Sequence, residues 1–214
     1  HGVAEATIVF MLMLLKRIKR NEAKLRRGEW AQRIDRGWLL SGRTIGLLAL
    51  GRVGTQVARR LQGWDVRLLA TDPFVPPETA RPLGVSLVPL TKLLADSDIV
   101  SLHATLTAKT RHIIGEKELR SMKRTALLIN TARGELLDEN ALYRAIDEKR
   151  IAGAALDVFE EEPLPANHPI LSCQQVVLTP HNADQTPEGM DILNAGVVDN
   201  VIAFLEGKPQ NVVN

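Results

Sequence analysis

Short, continuously apolar runs alternate with amphipathic stretches along most of this chain, and that rhythm predicts its architecture. The runs at 44–50, 66–71, 99–103, 126–130, 154–158 and 176–178 are mostly apolar throughout, not at every second position. That is the pattern of strands covered on both faces. Between them lie helix signals: 54–62 after a glycine turn, 92–95 with Thr91 as its cap, and 139–149 with Asp138 as its cap. A last one spans 188–206, opened by Thr186 and Pro187. Alternation of this kind predicts an α/β fold, a doubly wound parallel sheet with helices on both faces. Proline-marked loops are expected at 75–77 and 162–169.

Upstream of the first strand, 3–27 reads as one long helix, apolar all round at first and then basic, with Gly28 as its stop. A connector with Trp30 and Trp38 follows, and these rings are expected to pack, against another subunit in one reading.

Composition changes this picture little. The 214 residues suffice for one full domain with appended pieces. Charge is uneven: residues 1–43 hold ten Lys/Arg against four Asp/Glu, while the remainder is acidic on balance. A nucleic-acid arm is one reading of that basic block. A solvated helix face explains it better, because no aromatic interleaving or binding motif accompanies the charge. The single cysteine, Cys173, excludes an internal disulfide and suits a reducing, cytoplasmic setting. The apolar run at 6–15 is too short to span a bilayer, and its basic residues follow it, whereas a signal peptide carries them in front. Neither a nucleic-acid nor a membrane partner is expected, and no metal site.

The sharpest local signal is the strand–turn–helix at 43–71. The strand runs into Ala49, Leu50, Gly51, Arg52, Val53 and Gly54, a dinucleotide fingerprint with alanine at its first glycine. Gly51 would let the backbone approach a pyrophosphate, and Gly54 would let the helix pack close to the strand. The amides of Arg52 and Val53 would sit at a helix N-terminus, where anions are favoured. Ala49 fits if its φ stays negative. Asp72 ends the next strand 18 positions after Gly54. A carboxylate there accepts hydrogen bonds from ribose hydroxyls and repels a 2′-phosphate, which favours NAD.

Four further stretches carry a resemblance: Val3-Ala4-Glu5; Asp98 to His103; Asn130-Thr131-Ala132-Arg133-Gly134 with Asp138-Glu139; and Asp157 to Pro163, followed by Thr179-Pro180-His181. Together they resemble the D-isomer-specific 2-hydroxyacid dehydrogenase family, which includes phosphoglycerate, hydroxypyruvate/glyoxylate and D-lactate dehydrogenases. The resemblance extends along the whole chain. It implies an NAD-dependent oxidoreductase acting on a small D-2-hydroxy or 2-oxo acid. It implies that Arg133 holds the substrate's carboxylate and carbonyl oxygen, that His181 is the general acid/base and that Glu162 pairs with His181. Asp157 would contact the nicotinamide carboxamide, and Ala104, Thr131 and Ala132 would line the cofactor through backbone atoms. The chemistry suits these residue types: a guanidinium fork matches a carboxylate, and an imidazole exchanges a proton near neutral pH.

The resemblance also implies a division into a hinge and dimerisation helix (1–27), an NAD-binding Rossmann domain (28–185) and a C-terminal helix (186–214). That helix would return toward an N-terminal substrate domain, most of which lies outside this sequence. Homodimerisation through 3–40 is implied as well. The apolar excess of the last helix predicts an exposed patch and self-association of the chain alone. Departures from the family pattern are Ala6, Thr105 and Asp184, the last placing a charge near the nicotinamide. Alternatives are a formate dehydrogenase, which would call for Gln rather than Glu162, an NAD-sensing corepressor-like module, and an inactive NAD-binding fragment.

Overall fold

The computed structural model describes residues 1–30 and 36–212, so part of the connector at 28–43 lies outside the described residues. In chain order the elements are α1 (Gly2–Lys16), α2 (Ile18–Arg26), β1 (Thr44–Leu48), α3 (Arg52–Arg60), β2 (Arg67–Thr71), α4 (Pro77–Ala80), β3 (Val85–Leu87) and α5 (Leu90–Asp96). They continue as β4 (Ile99–Leu102), α6 (Glu116–Ser121), β5 (Leu127–Asn130), α7 (Glu139–Asp147), β6 (Gly153–Leu156), β7 (Val176–Leu178) and α8 (Pro187–Leu205). The strands form one sheet in the order β3-β2-β1-β4-β5-β6-β7, with every pairing parallel. The expected doubly wound sheet is therefore present, and its order reverses between β1 and β4, where such sheets bind ligands.

Each face of the sheet buries its own core. On one face Leu93, Leu119 and Leu142 of the helices meet Val100, Leu102 and Leu128 of the strands. On the other, Phe10, Met11 and Val57 meet Ile45, Leu47, Ile99 and Ile129. Burial on both sides explains why the strand runs lack alternation. Helix α1 belongs to the second core, whereas α2 buries no residue.

Several expectations need correction. The single helix over 3–27 is two helices, broken at Arg17 in the left-handed conformation (φ 53). Trp38 donates its backbone N–H to the Leu15 carbonyl at 2.9 Å, which takes the acceptor that residue 19 would need to continue the helix. The guanidinium of Arg17 lies over the Trp38 ring, 4.7 Å from its centroid. Helix α5 starts earlier than 92, with Pro89 rather than Thr91 at its cap. Strand β3 and helices α4 and α6 lie outside the sequence reading. β3 has an exposed serine at its centre, so it leaves no apolar run. Two caps form as read: Asp138 accepts from Ala141 N–H at 2.9 Å, and Thr186 from Gly189 N–H at 3.0 Å.

Candidate active site

The sequence-derived residues lie along the C-terminal end of the sheet, in the segments that follow β1, β2, β4, β5, β6 and β7. After β1 the chain turns through Ala49 and enters α3 at Arg52, with Gly51 as an N-cap that has no side-chain hydrogen bond. A Cβ on Gly54 would lie 2.4 Å from the Ala49 carbonyl oxygen, so only glycine allows this approach of helix to strand. Open space surrounds the Cβ position of Gly51. An uncapped helix N-terminus bordered by free space suits a pyrophosphate. Ala49 does not keep a negative φ: it sits at +75°. A positive φ is a conformation that strains an alanine methyl.

Asp72 is half-buried at the end of β2. One carboxylate oxygen accepts Leu50 N–H and the other Phe74 N–H, each at 2.9 Å. The first bond ties Asp72 to the glycine turn. Each oxygen keeps lone-pair capacity for a further donor such as a ribose hydroxyl.

After β5, the buried side chain of Asn130 shapes the turn that carries Arg133. Its amide nitrogen donates to the Arg133 carbonyl at 2.8 Å, and its oxygen accepts Ala132 N–H at 3.1 Å. Thr131 turns its hydroxyl inward, 3.1 Å from that of Thr7 on α1. Arg133 is exposed, with Nη1 on the Ala132 carbonyl at 2.6 Å.

Glu162 and His181 meet. Nδ1 of the imidazole lies 2.7 Å from one Glu162 oxygen, and Phe159 N–H donates to the other at 2.9 Å. Burial works against ionisation of Glu162 and is the largest single influence. The hydrogen bond with His181, the Phe159 N–H and the charges of His181 and Arg133 together outweigh it, so the carboxyl titrates below its usual range. Nε2 of His181 has no partner among the described residues and stays available. The residue adopts φ 50, a left-handed conformation for a non-glycine. A pocket of roughly 640 Å³ lined by Phe159, Leu164, Leu171 and Leu178 opens beside the pair.

Asp157 is 1 % exposed, and its carboxylate is committed within the protein. One oxygen accepts from Thr179 Oγ1 at 2.5 Å and Asn182 N–H at 3.0 Å, the other from Ala183 N–H at 3.0 Å. It thus fastens the loop on both sides of His181. Sequence reasoning missed the turn-shaping role of Asn130 and the burial of the His103 ring nitrogens. His103 lies at the end of β4, beside the half-buried Ala104, with its Cδ2 3.7 Å from the Gly54 Cβ position. Both His103 ring nitrogens are inaccessible and have no partner among the described residues, although the residue as a whole is only partly buried. Burial alone lowers its pKa to about 4. A buried polar atom without a partner leaves no mark in sequence. No His/Cys/Asp/Glu cluster among the described residues could hold a metal ion.

Comparison with known proteins identifies the family. The chain is 43% identical over 216 residues to the glyoxylate reductase of Korarchaeum cryptofilum (strain OPF8), covering 99% of the chain and 65% of that protein. It is 42% identical to the D-3-phosphoglycerate dehydrogenase of Methanocaldococcus jannaschii, covering all of the chain and 41% of that enzyme. The chain therefore spans less than two thirds of either relative. Among solved structures, a D-lactate dehydrogenase from Aquifex aeolicus complexed with NAD and lactic acid superimposes with a TM-score of 0.90 at 32% identity. That match covers 97% of this chain and 67% of the other. A sequence profile of the D-isomer specific 2-hydroxyacid dehydrogenase NAD-binding domain matches residues 8–183, and the chain belongs to this family through that domain.

Proposed function

We propose that this chain supplies the NAD-binding half and the reacting side chains of an enzyme that interconverts a small D-2-hydroxy acid and its 2-oxo acid, in the glyoxylate/hydroxypyruvate or phosphoglycerate class. The observation that carries the reading is the 2.7 Å contact between Glu162 and His181 Nδ1, which leaves Nε2 for a substrate oxygen. Bound NAD would supply the hydride acceptor or donor. Gly51, the amides of Arg52, Val53 and Gly54, and Asp72 would hold it, with the backbone at Ala104, Thr131 and Ala132 lining it. Asp157 serves the site through the loop that it fastens.

The protein's own groups then have separable tasks. Arg133 binds the substrate carboxylate through two parallel N–H donors and polarises the carbonyl. His181 gives its Nε2 proton to the oxygen during reduction and takes it back during oxidation. Glu162 fixes the ring through Nδ1 and stabilises the imidazolium form. An acidic partner for the histidine supports this class over a formate dehydrogenase, for which Gln was expected.

Homodimerisation through 3–40 is proposed on the exposure of Trp30 (79 %) and Leu39 (68 %), side chains that a partner would cover. The division at 27 and 185, with 186–214 returning toward a substrate domain, is proposed on the same resemblance. A cytoplasmic location is proposed on the single, reduced Cys173. No helix among the described residues is long and apolar enough to cross a membrane.

The test is NADH oxidation by the full-length gene product with glyoxylate, hydroxypyruvate and 3-phosphohydroxypyruvate. Turnover with at least one is expected, and His181→Gln should lower kcat by about 100-fold or more. Tight NADH binding without turnover on any substrate would overturn the catalytic reading in favour of an NAD-sensing module.

A further inference from the structure

The turn that holds Glu162 is itself gripped by residues that have no place in the catalytic scheme. Glu139 is the first residue of α7 and is 7 % exposed. Its Oε1 accepts Glu160 N–H at 2.7 Å, while Glu160 Oε1 accepts Glu139 N–H at 3.1 Å. Each glutamate thus binds the other's backbone. A histidine stands at the far oxygen of each: His168 Nε2 is 3.4 Å from Glu139 Oε2, and His112 Nε2 is 3.0 Å from Glu160 Oε2.

The same peptide is pinned from a second side. A Cβ at Gly134 would fall 1.9 Å from the Phe159 carbonyl carbon and 2.3 Å from Glu160 N, so the backbones of 134 and 159–160 are in direct contact. Gly134 directly follows Arg133. On its other flank, Phe159 donates its N–H to Glu162. A continuous path therefore runs from Glu139, through the Phe159–Glu160 peptide, to the Glu162 carboxylate and on to His181.

We infer that Glu139 is a positioning residue. Its reciprocal clamp with Glu160 sets the turn that aims Glu162 at His181, and ties that turn to the Arg133–Gly134 segment. The inference rests on the catalytic reading of the Glu162–His181 pair given above. Two adjacent carboxylates are a poor device for stability alone, because burial and mutual repulsion both oppose them. Burial foremost, then the charges of Glu160 and Glu162, push the Glu139 carboxyl above its usual range, against the pull of Glu160 N–H and His168. What this arrangement provides is two backbone N–H groups with fixed acceptors at defined places. The oxygen of Glu139, more than its charge, is the working part.

That distinction gives the experiment. Glu139→Gln keeps an acceptor oxygen, and Glu139→Met keeps the volume without one. In the folded chain, carbon-detected NMR follows the Glu162 carboxyl titration, and hydrogen exchange follows the Phe159 amide. The methionine variant should move the Glu162 midpoint up toward the ordinary carboxylate range and speed Phe159 exchange about tenfold, the loss of one ordered hydrogen bond. The glutamine variant should resemble the unaltered chain. A residue needed only for the fold would lower stability without moving the Glu162 midpoint. If Glu139→Met does not fold, Glu139→Asp, which withdraws the acceptor by one methylene, takes its place with the same expected shift.

His181→Ala, which leaves no side-chain donor, separates the two levels. If it leaves the Glu162 midpoint where it was, the pairing itself is wrong. If it raises the midpoint while Glu139→Met leaves it unmoved, the pairing stands and the clamp is refuted. A glutamine variant that shifts as far as the methionine one would likewise refute the role of the acceptor oxygen.

Discussion

The carbonyl of Asp157 accepts the backbone N–H of His181 at 2.7 Å, and the Asp157 carboxylate holds the Thr179 hydroxyl on one side and two backbone N–H groups on the other. One buried residue thereby keeps His181 in its left-handed conformation. Asp157→Asn retains a single acceptor oxygen and strands one of the donors at 182 or 183. The expected cost is about 1–3 kcal/mol, the penalty for an unsatisfied buried donor. Urea unfolding at unchanged slope measures it. A midpoint equal to that of the unaltered chain would mean that the loop finds other acceptors.

Ala49→Gly should stabilise the chain by about 1 kcal/mol. Alanine at φ +75 carries a steric penalty that glycine lacks, and this gain exceeds the added unfolded-state entropy of glycine. NADH affinity should hold or improve, because the helix N-terminus stays in place. Thermal unfolding and a fluorescence titration read the two effects. A lower melting temperature would show that the methyl makes contacts outweighing its strain.

The sheet was legible because parallel strands buried on both faces leave unbroken apolar runs, and because the turn at 49–54 requires glycine at 54. Arg133, Glu162 and His181 were legible through resemblance, and the structure brings Glu162 and His181 into contact. What escaped was set by partners distant in sequence. The break at Arg17 follows from a hydrogen bond between residues 15 and 38. The positive φ at Ala49 is likewise not written in its residue type, because alanine rarely adopts it. The work of Glu139 depends on residue 160, and no local pattern records such a pairing.

His103 gives a pH prediction. Its folded-state pKa of about 4 lies below the ordinary value of 6.5. Between these, the unfolded chain takes up a proton that the folded chain does not. Stability should therefore fall as pH drops from about 6.5 to about 4, by about 3 kcal/mol in all, and this contribution should level off at lower pH. His103→Leu should remove that slope. Glu162 acts in a different window: its lowered pKa gives stability that is present above about 4.5 and lost at lower pH. Subtracting the His103→Leu stability profile from that of the unaltered chain isolates the histidine. A flat difference between pH 6.5 and 4 would mean that the ring is hydrated in solution.

The last helix yields the prediction most open to direct observation. Helix α8 buries none of its residues, and Ile192, Leu193, Val197, Val198, Val201 and Ile202 are each between 48 % and 65 % exposed. Six uncovered apolar side chains spread around one helix are unusual for a soluble monomer. The chain by itself should bind an apolar fluorescent dye and sediment as species larger than a monomer. Val198 and Ile202 lie four residues apart and so share one face. Replacing both with lysine should cut dye fluorescence and shift sedimentation toward the monomer. The fold should be unaffected, because exposed positions tolerate substitution to within about 0.5 kcal/mol. The same pair separates this face from the 3–40 surface: if the double variant loses dye binding yet remains a dimer, the contact between copies lies at Trp30 and Leu39 instead. Dye binding that survives both lysines would place the dye off the Val198–Ile202 face, and the face named here would be wrong.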